Sequence, residues 1–184
     1  MIRERVLYTD PILKTKMETF DFSNPPVNPI ELYEELAENM IEYHGIGLSA
    51  NQIGLPYRAF VMRTEEIIGV FNPKVVDFSL ETIILEEGCV SNEGLFVKIK
   101  RPKKIRVRFT LPNGETVTRQ FDGLTARCFL HELDHLDGLL YTSRANTFHL
   151  QQAKKKQKKF AKYPVKPKSH LSDNAKEFLE WLNV

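Results

Sequence analysis

Phe129-Leu130-His131-Glu132-Leu133-Asp134-His135 is the stretch that decides how this 184-residue chain is read. At about 100° per residue on a helix, His131 and His135 lie roughly 40° and one turn apart, so both imidazoles reach one ion between them. Glu132 stands beside them, where a carboxylate can take a proton from a metal-bound water. Angle alone does not select it, because Asp134 is displaced equally to the other side. The extra methylene of Glu favours Glu132 for reaching over the metal and leaves Asp134 as a helix-surface group or a partner of a ligand. Two imidazoles need at least a third ligand, so the rest of the chain is read for one.

With 42% apolar residues the chain is long enough for one well-packed core. The amino terminus, Met1-Ile2-Arg3-Glu4-Arg5-Val6, has no apolar signal region. No stretch approaches the roughly 18 to 20 apolar residues of a membrane span, and a soluble, cytoplasmic monomer without membrane partners is expected. The net charge of +2 hides an asymmetry. Nine lysines against Asp173, Glu177 and Glu180 give residues 151–184 a charge of +6, leaving −4 on the first 150. Cys89 and Cys128 do not form a disulfide framework, so a thiol is available as a ligand.

Residues 1–28 read as an irregular arm broken at Asp10-Pro11 and Asn24-Pro25-Pro26. A helix follows, with Asn28 as N-cap, Pro29 at its first position and Glu31 three residues after the cap. Ile30, Tyr33, Ala37, Met40 and Ile41 form its apolar period, and Gly45 fits a left-handed stop. Residues 45–52 read as a glycine-containing loop. Strands are expected at 57–62, 68–71, 75–85 and 95–99; Ile105, Val107 and Phe109 alternate with arginines, and Pro112-Asn113-Gly114-Glu115 turns the chain back into 116–121. Asp122 fits the N-cap of a helix over about 124–136 that carries the motif. The order of helix, antiparallel strands and motif helix is that of an α+β domain.

Leu139-Leu140-Tyr141 reads as a short edge strand, and Asn146 or Thr147 as the cap of a helix through Lys159. The chain thus divides into a catalytic domain (1–146), a basic C-terminal helix (147–160), and a linker with a short amphipathic helix (161–184).

Four candidates compete to be the third ligand, with a fourth position left for water. Tyr141 sits where metzincins carry a third His, and a neutral phenol is a poor substitute. No Glu occurs between Glu132 and Glu177. Cys128 lies about 7.5 Å along the helix from the midpoint of the two histidines, too far for a metal–sulfur bond of about 2.3 Å; it reads as pocket floor. Cys89, in Glu86-Glu87-Gly88-Cys89-Val90-Ser91-Asn92, follows a strand at a turn that glycine permits, from which a thiolate can project toward a helix. A half-buried structural cysteine is the alternative there.

Three stretches taken together resemble peptide deformylases: Gly45-Ile46-Gly47-Leu48-Ser49-Ala50-Asn51-Gln52, Glu87-Gly88-Cys89-Val90-Ser91 and His131-Glu132-Leu133-Asp134-His135, in the order of that family's signature motifs. The resemblance runs to about Leu140, more loosely to Lys159, and leaves residues 160–184 uncovered. It implies a deformylase-like fold, with antiparallel sheets around a central metal-binding helix, and hydrolysis of the N-formyl group of N-terminal formylmethionine, releasing formate.

By matching position, the resemblance implies that Cys89, His131 and His135 hold a divalent metal, natively Fe2+, with Zn2+, Ni2+ or Co2+ able to replace it. Glu132 would be the general base, then the acid toward the leaving amine; Gln52 and the Val90 N–H would hold the formyl oxygen. The methionine pocket would be lined by Ile46, Leu85, Leu124, Arg127, Cys128 and His131, worth roughly 1.5 to 3 kcal/mol for a buried thioether chain. Backbone groups of Gly47 and of the strand around Leu95 would pair with the peptide. In bacterial members the helix after the motif can dock on the ribosome, and Lys154 to Lys159 resembles such a helix.

Three positions depart from the family pattern. Asn92-Glu93-Gly94 stands where an apolar residue and proline usually precede glycine, Ser49 replaces alanine, and Arg127 replaces a frequent aliphatic residue, bordering the pocket with its methylene stem. The enzyme alternative is a His-Glu-x-x-His metallopeptidase cleaving peptide bonds. The non-enzyme alternative is an RNA-binding module with a structural metal.

Overall fold

The structure, a computed structural model, describes residues 1–162. The linker at 163–168 and the terminal helix at 172–182 expected from the sequence lie outside the described residues.

Helix α1 (Pro29–Glu42) starts where its cap dictates: Asn28 Oδ1 accepts from the Ile30 N–H at 2.9 Å and the Glu31 N–H at 3.5 Å. Its buried stripe differs from the one expected. Leu32, Leu36, Asn39 and Met40 face inward, while Ile30 and Ile41 are 49% and 52% exposed. Of the expected stripe, Met40 is buried and Tyr33 packs partly buried against the same cluster, while Leu32 and Leu36, in the same period, bring the helix against Leu48, Val61 and Phe71. The left-handed residue after the helix is His44 (φ 51°), not Gly45. Gly45 is required for a different reason, since a Cβ there would stand 2.9 Å from the Gly47 carbonyl.

The strands follow as β1 (Gly47–Ser49), β2 (Ala59–Arg63), β3 (Ile67–Phe78), β4 (Thr82–Cys89), β5 (Asn92–Pro102), β6 (Lys104–Thr110) and β7 (Thr116–Asp122). All pairings are antiparallel: a five-stranded sheet in the order β1-β2-β3-β6-β7 and a two-stranded sheet of β4 and β5. Residues 45–52, expected as loop, contain β1 and a 3-10 turn at Ala50–Ile53. The segments expected at 68–71 and 75–85 are divided differently. β3 runs through both to Phe78, kinked where Asn72 adopts φ 50° and the register shifts. The Asn72 side chain fills that kink by exchanging two hydrogen bonds with the Phe20 backbone, at 2.7 and 2.8 Å.

Helix α2 (Gly123–Leu136) carries the motif, entering through Gly123 at φ 52°. Asp122 occupies its N-cap without a side-chain capping bond. Phe129 packs edge-on to Phe60 at 5.2 Å between centroids and near Phe109 and Phe121, beside the inward residues Ile105 and Val107. Burying that one ring is worth about 1.5 to 3 kcal/mol and fixes the helix against the larger sheet. The opposite flank of α2 faces the β4–β5 pair.

Leu139 to Tyr141 is not a strand. The chain enters a 3-10 turn, Tyr141–Arg144, and the buried Tyr141 hydroxyl donates to the Leu95 carbonyl at 2.8 Å. Helix α3 (Thr147–Lys162) then lies on β5, with Leu150 and Ala153 joining Leu95, Val97, Ile99 and Tyr141 in a third cluster. Among the described residues no helix is long and apolar enough to cross a membrane.

Candidate active site

Cys89, His131 and His135 each place one ligating atom within 4.8 Å of the other two. Cys89 Sγ lies 3.2 Å from His135 Nε2, and the two imidazole centroids are 5.0 Å apart. The β4–β5 register shifts between Glu87 and Cys89, and this bulge turns Cys89 toward α2. Gly88 permits it, because a Cβ there would stand 2.6 Å from the Phe96 ring. Burial alone would push the Cys89 thiol up, but His135 and His131 pull it well below its ordinary range.

This donor set fits a divalent transition metal: one thiolate and two imidazoles, soft and borderline, leaving a further position open. His131 Nδ1 is 3.1 Å from Glu87 Oε2, which fixes the ring and makes Nε2 the nitrogen that could ligate an ion. The rival third ligands turn elsewhere. Tyr141 spends its hydroxyl on Leu95, and Cys128 donates its thiol to the Ile46 carbonyl at 3.4 Å.

Glu132 is buried, and its Oε2 has no hydrogen-bond partner. Burial pushes the carboxyl up to about 6, against the pull of His131 and His135. Gly47 passes directly against it: a Cβ on Gly47 would lie 2.6 Å from Glu132 Oε1 and 2.7 Å from Cys128 Sγ. Glycine is therefore obligatory there if the carboxylate is to keep its place.

Gln52 is held by its own turn. Its Oε1 accepts from the Ser49 N–H at 2.9 Å and the Ser49 hydroxyl at 3.0 Å, so its Nε2 points at Cys89 Sγ (3.3 Å) and Ser91 Oγ (3.4 Å). Val90 lies in the turn between β4 and β5, half-buried, with its carbonyl bound by Arg5 Nη1 at 3.1 Å. Leu124, Arg127, Cys128 and His131 share one face of α2, and Ile46 and Gly47 run beside Cys128. Leu85 pairs with Ile99 and, like Leu124, is half-buried outside the apolar clusters.

One position differs from the sequence reading. Arg127 does not border the site with its stem alone: its buried guanidinium binds Glu87 Oε1 at 2.7 Å and the carbonyls of Ile99 and Ile83 at 3.0 and 2.8 Å. Leu95 itself is buried, and its carbonyl accepts a bond from the Tyr141 hydroxyl.

A buried ion network behind the ligands was not foreseen. Arg101 grips Glu87 through Nε (2.5 Å) and Nη2 (2.8 Å) and reaches Asp134 Oδ2 at 2.8 Å; Arg144 closes on Asp134 Oδ1 at 2.7 Å. Asp134 is thus buried, not at the helix surface. A signal was present in the sequence: Arg101 continues the inward alternation Leu95, Val97, Ile99 of β5, and an arginine in that phase needs a buried carboxylate.

The pattern that describes the polypeptide deformylases matches residues 2–151. A peptide deformylase of Thermotoga neapolitana is 38% identical over 78% of this chain and 87% of its own length. One from Bartonella tribocorum is 34% identical over 88% of this chain and 94% of its own. Among solved structures, a peptide deformylase from Thermotoga maritima superposes with a TM-score of 0.75 at 34% identity, covering 79% of this chain and 99% of that one. A plant peptide deformylase gives 0.78 at 28%, covering 91% and 96%. A match over most of the length, with a shared fold and a shared arrangement of sheets and helices, has one reading: the chain belongs to the polypeptide deformylase family.

Proposed function

We propose that Cys89, His131 and His135 are the metal ligands and Glu132 the proton-transfer group of a hydrolase that acts on formylmethionyl peptides. The overall reaction follows from the family: the protein is a hydrolase that removes the N-formyl group from newly made peptides. The observation that carries the residue roles is the unpartnered, buried Glu132 oxygen beside three converging ligand atoms.

A divalent ion bound there, ferrous iron being the native one proposed, supplies Lewis acidity and a more acidic water. Glu132 accepts the proton of the attacking water and delivers it to the leaving amine, the burial of its carboxyl favouring the protonated form it must pass through. Gln52 Nε2 and the Val90 N–H donate to the formyl oxygen as negative charge collects on it. The hold of Ser49 on Gln52 Oε1 supports this role for its Nε2.

The methionine side chain enters between Ile46, Gly47 and the α2 face of Leu124, Arg127 and Cys128, with Leu85 at its border. Among the described residues β1 and β4 are each strand-paired along one edge only, and groups on their other edges would offer the peptide main chain hydrogen bonds from either side. That accounts for recognition of a backbone with little preference beyond the first residue.

Residues 1–146 form the catalytic unit of this proposal, a cytoplasmic monomer. α3, residues 147–160 in the division adopted here, is its ribosome-facing element: Lys154, Lys155, Lys156, Lys158 and Lys159 are all exposed while Ala153 anchors the helix.

Assaying formyl-Met-Ala-Ser, acetyl-Met-Ala-Ser and an internally cleavable peptide tests the reaction against the metallopeptidase alternative. Formate from the first substrate alone is expected. Cleavage of internal amides without formate would overturn the proposal.

A further inference from the structure

The turn that follows Cys89, Val90-Ser91, is closed by the Cys89–Asn92 strand pair, but beyond that pair the register shifts and the next partnered residue of β5 is Val97. Asn92-Glu93-Gly94, at the start of β5, contains no proline, and Gly94 sits at φ 73°. This turn carries Val90, one of the two groups assigned to the formyl oxygen. Two segments distant in sequence add to the grip of the strand pair.

From the amino-terminal arm, Arg5 Nη1 donates to the Val90 carbonyl at 3.1 Å and Arg5 Nη2 to Glu93 Oε2 at 2.7 Å. The neighbouring backbone extends the grip: the Val6 N–H donates to the Gln52 carbonyl at 2.8 Å and the Tyr8 N–H to the Ser91 carbonyl at 2.9 Å. Arg5 is in turn seated over the Tyr43 ring, 5.7 Å from its centroid, at the end of α1. From α3, Gln157 Nε2 donates to the Glu93 carbonyl at 2.8 Å. One short arm thus touches the backbone of both groups assigned to the oxyanion, Gln52 and Val90.

We propose that Arg5 is a positioning residue for the oxyanion site, fixing the Val90–Glu93 segment relative to Gln52 so that both donors meet the same oxygen. The proposal rests on the assignment of Gln52 and Val90 made above. Stability is not the main role of this contact. Glu93 is 78% exposed, and ion pairs of that kind contribute little to folding. What the fork does provide is direction, since one planar guanidinium holds a carbonyl and a carboxylate at a fixed separation. A displacement of a fraction of an ångström at Val90 would leave the ligands in place and weaken only the bond that strengthens in the transition state.

The test uses the full-length, metal-loaded protein with Arg5→Ala, Arg5→Lys, Glu93→Gln and Gln52→Ala, measuring kcat and KM on formyl-Met-Ala-Ser, bound metal, and the unfolding midpoint. Removing an oxyanion donor outright costs on the order of 100-fold or more in kcat, and Gln52→Ala is expected in that range. Misplacing the other donor costs less: Arg5→Ala is expected to lower kcat about tenfold with KM within about twofold. Metal content and midpoint should match the parent. Arg5→Lys, which cannot fork, is not expected to restore kcat, and Glu93→Gln should show a smaller loss in the same parameter. An Arg5→Ala protein with parental kcat overturns the proposal, as does one whose lost kcat is matched by lost metal or a lowered midpoint. If Gln52→Ala also keeps parental kcat, the oxyanion assignment itself has failed; if only Arg5→Ala does, the arm alone is exonerated.

Discussion

His131 Nδ1 and Glu87 Oε2 stand 3.1 Å apart, and the same carboxylate is gripped by Arg101 and Arg127. One acid therefore orients the ring of a proposed metal ligand and binds two buried guanidiniums, with Asp134 sharing the charge of Arg101, and so joins β4, β5 and α2 at the site.

Replacing Glu87 tests both roles. Glu87→Gln keeps the shape and should weaken metal binding about 10- to 100-fold by releasing His131, read by competition with a chelator. Glu87→Ala leaves Arg101 buried without its main counter-charge and should also cost about 3 to 5 kcal/mol of stability, read by urea unfolding. Parental metal affinity in both would remove Glu87 from the ligand-orienting role.

The same carboxyl makes stability depend on acid pH. Burial alone would raise it, but the bonds from Arg101 and His131 outweigh that and hold it well below the usual carboxylate range. Its folded value lies below its unfolded one, so its stabilisation is complete above the unfolded value of about 4.5 and is lost as pH falls from there toward the folded value. Urea unfolding in the presence of a chelator should show the parent losing stability faster than Glu87→Gln below about pH 4.5. Parallel curves would contradict this.

Gly47→Ala drives a methyl group into Glu132 Oε1 and Cys128 Sγ, at 2.6 and 2.7 Å. Overpacking should cost about 1 to 3 kcal/mol. Displacing the carboxylate should cost on the order of 100-fold in kcat/KM. Near-parental turnover would mean that Glu132 is not held in place by this contact.

The lysines of α3 can be tested without removing the helix, which would uncover Leu95, Val97 and Ile99 on β5. With Lys154, Lys155, Lys158 and Lys159 changed to Gln, ribosome co-sedimentation at low salt should fall, and parental binding should weaken as salt rises. Unchanged binding in the variant would end the ribosome-facing assignment of α3.

The sequence was most legible where the physics is local. Asn28, Pro29 and Glu31 mark the start of α1 because a cap bonds within its own turn, and the spacing of His131 and His135 is a property of one helix. The buried face of α1 was misjudged because two apolar sets, one with Ile30 and Ile41 and one with Leu32 and Leu36, both fit a helical period. Only contact with Leu48, Val61 and Phe71 chooses between them. The strand expected around Leu140 gave way to a turn because a bond from Tyr141 to Leu95, 46 residues away, decides that segment. The Glu87–Arg101–Asp134 network was missed for the same reason: Arg101 looks like Lys98 or Lys100 until its strand phase is followed into the core. Cys89 could be named a candidate from the sequence, but its approach to His135 comes from a bulge that no local pattern announces.

The central claim is that Glu132 transfers the proton at a site built by Cys89, His131 and His135. The direct measurement is formate release from formyl-Met-Ala-Ser by anaerobically purified protein loaded with Fe(II), Ni(II) or Zn(II), beside Glu132→Gln treated identically, with bound metal quantified in each. The parent should release formate, and Glu132→Gln should retain its metal and lose turnover. Full activity in the Glu132→Gln protein would contradict the account.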